Sequence, residues 1–144
     1  MGGVRIVNDA YNANPTSMAA ALRTVRWMGG GGRCIAVLGH MAELGPIEEE
    51  EHERAGQLVA RLGIDALVTV GKEARSMAMA AGRAGLAPDH LVMCGDVDEA
   101  AEAVLSMVRP GDLVLVKASR VARLERVADA LRAALDRPAK EAAR

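Results

Sequence analysis

Aromatic side chains are almost missing from this sequence: its 144 residues include one tryptophan, one tyrosine and no phenylalanine. A chain this poor in aromatic residues offers no platform on which the bases of single-stranded nucleic acid can stack. An excess of basic charge is missing as well, because the formal net charge is −1 at pH 7. Composition therefore gives no electrostatic argument for nucleic-acid binding. Any hydrophobic core must be built from aliphatic side chains and methionine.

Cysteines and long apolar runs are also scarce. Cys34 and Cys94 lie in separate apolar runs and form no CxxC pair. We expect two buried, reduced thiols in a cytoplasmic protein, with a disulfide or a metal role as the alternative. No segment is long enough to span a membrane, and no signal peptide opens the sequence. With 51% apolar residues, the chain is expected to fold as one globular domain, residues 1–144.

Short apolar runs alternate with segments of helical periodicity along the sequence. The runs are typical of strands buried on both faces, and the segments between them place apolar residues at i, i+3, i+4 and i+7. Strands are predicted at 4–9, 34–39, 66–71, 90–95 and 112–117. Helices are predicted at about 15–28, 48–62, 73–84, 97–108 and 121–136, with a frayed segment after Pro138.

This alternation indicates parallel β-α-β units with right-handed crossovers. The predicted fold class is therefore α/β, an open, mainly parallel, Rossmann-like sheet with helices on both faces. Ligands of such sheets bind where strands end and helices begin. That rule selects the loops 9–14, 39–47, 71–73, 95–97 and 117–123. We expect the first, second and last of these loops to meet at one edge of the sheet.

The first loop, within the stretch NDAYNANPTS, is rich in side chains that can bind a ligand. Asp9 ends the first strand, where a carboxylate can bind both hydroxyls of a ribose or hold a cation. Tyr11, Asn12 and Asn14 follow, and amides both donate and accept, which suits a nucleobase or a peptide group. The alternative is an ordinary helix start, with Asn14 as the cap and proline at the first helical position.

The second loop carries His40 and Glu43, which together with His52 could suggest a metal site. No HExxH or cysteine–histidine spacing supports such a site. We interpret residues 48–51 as acids that favour a helix N-terminus, with His52 inside that helix.

The last loop brings Lys117, Ser119, Arg120 and Arg123 to the end of the fifth strand. A lysine and a hydroxyl beside a helix N-terminus form a cradle for an anion or a carboxylate. The alternative is that Ser119 caps the helix and the basic residues are solvated. The sequence contains no GxxxxGK[ST] loop, no GxGxxG after a strand and no Ser-His-Asp order, so we assign no catalytic residue. This pattern is typical of a binding module whose catalytic machinery lies elsewhere.

Three motifs occur in order: NDAYNANPTSM, then VLGHMAELG with Glu51-His52 after it, then VLVKASR followed by LE. Together they resemble the C-terminal domain of the Mur ligases, and within that family they resemble the branch that adds D-Ala-D-Ala. The resemblance covers about residues 4–136. Two residues depart from the family pattern. His40 stands where the family has an acid, and Ala118 stands where it has glycine.

The resemblance implies one domain of a three-domain enzyme of peptidoglycan synthesis, whose other domains bind the UDP-muramoyl peptide and carry the ATPase P-loop. It implies that ATP and Mg²⁺ are bound mainly by the central ATPase domain, outside this chain, and that this chain alone is inactive. ATP would activate UDP-N-acetylmuramoyl tripeptide as an acyl phosphate, which the amine of D-Ala-D-Ala attacks. The implied nucleotide contacts are Asp9, Tyr11, Asn12 and Asn14, and the implied dipeptide contacts are Lys117, Ser119 and Arg120.

The alternative hypothesis is a free-standing α/β nucleotide-binding or regulatory module, such as a receiver-like domain. A receiver needs an acid pair after its first strand and a phosphorylatable aspartate after the third. Here the third strand ends in Gly71 and Lys72. A GKT-type P-loop upstream in the same reading frame would decide for the ligase.

Overall fold

The computed structural model describes residues 3–135, and the segment predicted to fray after Pro138 lies outside them. Strands and helices alternate throughout this part of the chain, as predicted. The strands are β1 (Arg5–Asp9), β2 (Cys34–Leu38), β3 (Ala66–Val70), β4 (Leu91–Cys94) and β5 (Leu113–Lys117). The helices are α1 (Pro15–Gly29), α2 (Glu48–Arg61), α3 (Arg75–Arg83), α4 (Val97–Met107) and α5 (Glu125–Leu135).

The sheet has the order β1-β5-β2-β3-β4, and every neighbouring pair of strands is parallel. Right-handed crossovers place α1, α2 and α3 on one face and α4 and α5 on the other. One core cluster accordingly joins Leu22, Val59 and Met77 of the first three helices. The other cluster joins Val104 and Leu131 of the last two helices. The prediction of an open parallel α/β sheet with helices on both faces is confirmed.

The position of β5 between β1 and β2 creates a crevice at the carboxyl ends of these three strands. The helices that follow β1 and β2 leave toward one face, whereas the helix that follows β5 leaves toward the other. Such reversals are the places where open α/β sheets bind ligands, outside the carboxyl ends of the strands. The loops after β1, β2 and β5 meet there, as expected. The amide of Gly39, for example, donates to the carbonyl oxygen of Lys117 at 3.0 Å.

Small side chains let an aliphatic core pack closely without aromatic residues. The central strands β2, β3 and β5 are buried at every position, which explains their continuous apolar sequences. Gly56 of α2 lies against α3, and a Cβ at this position would overlap the carbonyl oxygen of Met77.

Cys34 and Cys94 are free and buried, and burial raises the pKa of both thiols. The prediction that both thiols are buried is confirmed. No helix within residues 3–135 is both long and apolar enough to cross a membrane.

The last helix begins at Glu125, later than the predicted residue 121. Residues Arg120–Ala122 form a 3-10 turn, after which Arg123 takes a left-handed backbone conformation with φ of 54°. Val121 fits the apolar period of the helix but is 74% exposed. Periodicity therefore extended the predicted helix across a loop that borders the crevice.

An ion pair between the partly exposed Arg33 and the buried Asp112 joins the starts of β2 and β5, at the amino-terminal ends of the strands. The guanidinium of Arg33 donates to both carboxylate oxygens of Asp112, at 3.0 and 2.7 Å. The amide of Arg109 donates to the same carboxylate at 2.8 Å, and Asp112 is 2% exposed. Burial acts to raise the pKa of Asp112, but these hydrogen bonds outweigh it and hold that pKa below its usual value.

We expect Asp112→Asn to lower the free energy of unfolding by about 1.5–3 kcal/mol at pH 7, the usual contribution of hydrogen bonds to a charged group. The folded-state pKa of Asp112 is depressed. Its contribution is therefore complete above the unfolded-state pKa and is lost as the pH falls through the folded-state value. Urea unfolding of both proteins should show a difference that shrinks below about pH 4. Asp129→Asn, on an exposed position of α5, is the control, and a difference that persists undiminished at pH 3 would contradict the assignment.

Candidate functional site

Lys117, the last residue of β5, is only 2% exposed although it carries a charge. Its Nζ donates to Oδ2 of Asp9 at 2.6 Å and to the carbonyl oxygen of Asn12 at 2.9 Å. The parallel register of β1 and β5 places Asp9 directly beside Lys117. Because a buried ammonium group is tolerated only with such partners, Lys117 fastens the loop after β1 to the end of β5.

Ser119 connects the same region to the loop after β2. Its Oγ accepts from the amide of Ala42 at 2.7 Å and donates to the carbonyl oxygen of Ala13 at 3.4 Å. Its own amide donates to the carbonyl oxygen of His40 at 2.9 Å. The alternative in which Ser119 caps the following helix is wrong, because its side chain makes no capping hydrogen bond. We call Asp9, Lys117 and Ser119 the loop clamp.

The polar side chains of the loop after β1 differ in which of their atoms remain available to a ligand. Asp9 has a side chain that is 46% exposed, and only its Oδ2 is engaged with a described residue. Tyr11 is 61% exposed. Asn14 caps α1, because its Oδ1 accepts from the amide of Ser17 at 2.8 Å. Capping by Asn14 is thus confirmed, and it leaves the amide nitrogen of that side chain available to a ligand.

A surface pocket of about 410 Å³ lies beside the loop clamp. The loops after β1, β2 and β5 all contribute to its walls, notably through Tyr11, Asn12, Asn14, Glu43, Ser119 and Arg120. The pocket thus brings together some of the residues predicted to contact a nucleotide and some predicted to contact a second substrate, whereas Asp9 and Lys117 do not line it. Arg123 is also not one of the residues that line it.

The loop after β2 is held in place by hydrogen bonds that involve His40, Glu48 and His52. Nε2 of His40 lies 2.5 Å from Oε1 of Glu48, and this hydrogen bond lowers the pKa of Glu48. His52 lies inside α2, as predicted, and is fully buried. Its Nε2 accepts from the amide of Met41 at 3.0 Å, so the proton lies on Nδ1, which is 2.6 Å from the carbonyl oxygen of Glu48. Among the described residues, no group of three or more histidine, cysteine or acidic side chains is placed to hold a metal ion.

Glu43 lines the pocket although it was not among the predicted ligand contacts. Within residues 3–135, Glu43 and Arg123 are the non-glycine residues with positive φ, and Glu43 has φ of 64°. Such strained backbone is typical of functional loops. The sequence contains no signal for it, because Asn, Asp and Gly are the residues usually found in this conformation.

Comparison with known proteins gives one family and consistent relatives. The family model described as "Mur ligase, glutamate ligase domain" matches residues 1–120. The UDP-N-acetylmuramoyl-tripeptide--D-alanyl-D-alanine ligase of Mycobacterium tuberculosis (strain ATCC 25618 / H37Rv) is 43% identical over 146 residues, which is 90% of this chain and 29% of the relative.

Two solved structures agree with this similarity. The MurF ligase from Thermotoga maritima in complex with ADP has a TM-score of 0.73 at 30% identity, covering 89% of this chain and 28% of that chain. MurF from Acinetobacter baumannii has a TM-score of 0.75 at 28% identity, covering 91% of this chain and 29% of that chain. The chain thus spans less than a third of the length of each of these relatives.

Proposed function

Because this chain belongs to the Mur ligase family, we propose that it is the C-terminal domain of an ATP-dependent ligase that adds D-Ala-D-Ala to UDP-N-acetylmuramoyl tripeptide. The observation that carries this proposal is the pocket of about 410 Å³ lined by residues from all three motifs. Its position outside the carboxyl ends of β1, β2 and β5 is where a domain of this fold binds ligands.

In this proposal the chain completes an active site whose catalytic part lies on a central ATPase domain. ATP and Mg²⁺ are held mainly by that domain, and we assign no Mg²⁺ ligand to the described residues. Oδ1 of Asp9, which is not engaged by Lys117, fits a ribose hydroxyl as a hydrogen-bond acceptor. Tyr11, Asn12 and the free amide nitrogen of Asn14 line the nucleotide side of the cleft.

The dipeptide side of the cleft needs a cation for the carboxylate of D-Ala-D-Ala. Lys117 and Ser119 were predicted to supply this contact directly. Both are engaged within the loop clamp, which supports an indirect role in which they hold the loops in position. Arg120 is exposed at the rim of the pocket, and guanidinium groups bind carboxylates with two parallel hydrogen bonds.

The proposed reaction takes place in the cytoplasm. Free thiols at Cys34 and Cys94 accord with a reducing compartment. The receiver-like alternative receives no support, because Gly71 and Lys72 follow β3 where a receiver needs its aspartate.

A ligation assay with the full-length protein tests this function. The enzyme is incubated with ATP, Mg²⁺, UDP-N-acetylmuramoyl tripeptides that differ in their third residue, and D-Ala-D-Ala. We expect ADP, phosphate and a UDP-muramoyl pentapeptide, identified by mass spectrometry. Ligation of a single amino acid in place of the dipeptide, or no ligation with any tripeptide, would refute the proposal.

The 144-residue chain alone is expected to hydrolyse no ATP and to bind nucleotide weakly at most. Its sequence contains no P-loop to position the phosphates, and the few remaining contacts must oppose the entropy lost on association. Phosphate release and isothermal titration calorimetry measure the two properties. A contaminating ATPase would act equally in the wild-type and the Asp9→Ala preparations. ATP turnover that occurs in the wild-type preparation but not in the Asp9→Ala preparation would therefore contradict this expectation.

A further inference from the structure

Two charged side chains at the pocket do not take part in the loop clamp. Glu43 and Arg120 are both exposed, and both line the pocket of about 410 Å³. Neither side chain makes a hydrogen bond or an ion pair with another residue in the part of the chain that the structure describes. By contrast, Lys117 is 2% exposed and already bound to Asp9. The charges available to a ligand in this pocket are therefore one acid and one guanidinium.

The loop that carries Glu43 is held firmly on its amino-terminal side. The amide of Met41 donates to Nε2 of His52 at 3.0 Å, and the amide of Ala42 donates to Oγ of Ser119 at 2.7 Å. Glu43 then takes φ of 64°, a conformation that persists only where the surrounding structure imposes it. These contacts fix the backbone from which the carboxylate of Glu43 extends at the pocket.

The rest of the pocket suits a small ligand with little apolar surface. Its volume of about 410 Å³ lies within the range of small-molecule sites, roughly 300–1,000 Å³. Ala13, Ala42 and Val121 supply small apolar walls. A ligand with two methyl side chains and opposite charges at its two ends would match both the walls and the free charges.

We propose that Glu43 binds the ammonium group and Arg120 the carboxylate of a small zwitterionic peptide, so that Glu43 is a substrate-binding residue that selects the incoming dipeptide. This inference rests on the proposed function and deepens it by assigning a residue to each end of the amine substrate. The two substrates then have different charged contacts, because the ribose of the nucleotide is assigned to Oδ1 of Asp9, which does not line the pocket.

Steady-state kinetics of the full-length enzyme test the assignment with Glu43→Gln and Arg120→Gln. Each variant should raise the KM for D-Ala-D-Ala about ten-fold, the lower end for a lost charge-assisted hydrogen bond, and leave the KM for ATP unchanged. The matched controls are Glu49→Gln and Arg126→Gln, at exposed positions of α2 and α5. Thermal melting of every variant confirms that it is folded.

The C-terminal amide of D-Ala-D-Ala is a probe that assigns the two ends separately. The wild-type enzyme should prefer the free dipeptide over the amide. Arg120→Gln should lose this preference, whereas Glu43→Gln should keep it. A preference that survives in Arg120→Gln would overturn the placement of the carboxylate.

The remaining outcomes distinguish this inference from the proposed function. Normal ligation by the wild type with an unchanged KM for the dipeptide in Glu43→Gln would overturn the inference alone. A rise in the KM for ATP in place of the dipeptide would show that the pocket holds the nucleotide, which also overturns it. Absence of any dipeptide ligation by the wild-type enzyme would refute the proposed function itself.

Discussion

Asp9→Ala should damage both the stability of this domain and its use of ATP, because the two oxygens of the Asp9 carboxylate have different partners. Oδ2 pairs with the buried ammonium of Lys117 at 2.6 Å, whereas Oδ1 is available to the ribose. Removing the carboxylate leaves the buried ammonium of Lys117 with the carbonyl oxygen of Asn12 as its one remaining partner among residues 3–135. Loss of one member of a buried pair costs about 3–5 kcal/mol of unfolding free energy. We expect the lower end, since the side chain of Asp9 is 46% exposed.

The effect on ATP follows from Oδ1, the oxygen that Lys117 does not engage. Loss of a charge-assisted hydrogen bond to the ribose should cost about 1.5–3 kcal/mol of binding, which is about a ten- to hundred-fold loss of apparent ATP affinity. Urea unfolding of the 144-residue chain measures the first effect. The ATP dependence of ligation by the full-length enzyme, well below its melting temperature, measures the second. Asp129→Ala is the control for both.

Lowered stability with an unchanged ATP dependence would make Asp9 a purely structural residue. The stretch NDAYNANPTS would then be an ordinary strand-to-helix turn, with Asn14 as its cap. A loss of ATP affinity without loss of stability would instead show that Lys117 does not depend on Asp9 for its charge compensation.

The fold could be predicted from the sequence because its local signals agree with one another. Buried parallel strands such as β3 and β5 have continuous apolar sequences, and the helices between them keep a 3.6-residue period. The position of β5 between β1 and β2 could not be predicted, because periodicity contains no information about strand order. Periodicity also failed to predict the late start of α5. Val121 has the spacing of a core residue, but its side chain is exposed.

The sequence predicted which residues lie at the candidate site. It did not predict which of their side chains are free to bind a ligand. Lys117 in the sequence resembles a free cation at a strand end, yet the register of β1 and β5 buries it beside Asp9. Glu43 in the sequence resembles one more surface acid, yet it lines the pocket on strained backbone. In both cases the decisive fact is a contact between loops far apart in the sequence. Local pattern does not specify such contacts.

Lys117→Met should have a much smaller effect on stability than Asp9→Ala, although it removes the other half of the same ion pair. Methionine keeps most of the volume of lysine without its charge, and replacing buried ionic groups by apolar ones of similar size is often neutral. The carboxylate of Asp9 that remains is 46% exposed, so water can solvate it. We expect a change of less than about 1 kcal/mol in the free energy of unfolding.

The double variant Asp9→Ala with Lys117→Met provides the stricter test. It should unfold with nearly the stability of Lys117→Met alone, because no buried charge is left without a partner. The two single changes would then be strongly non-additive, as expected for residues in direct contact. Its ATP affinity should stay as low as that of Asp9→Ala, because the ribose contact is still missing.

Lys117→Met also separates a positioning role from direct binding of the substrate carboxylate. If Lys117 acts through the loop clamp, its loss frees the loop after β1 and raises the KM for ATP, with little change in the KM for D-Ala-D-Ala. If Lys117 instead binds the dipeptide, the KM for D-Ala-D-Ala should rise by about ten-fold or more. Full-length Lys117→Met assayed with both substrates distinguishes these roles, with Lys72→Met at an exposed position after β3 as the control. The burial of the ammonium group predicts the first result, and a rise confined to the KM for the dipeptide would restore Lys117 as a direct contact.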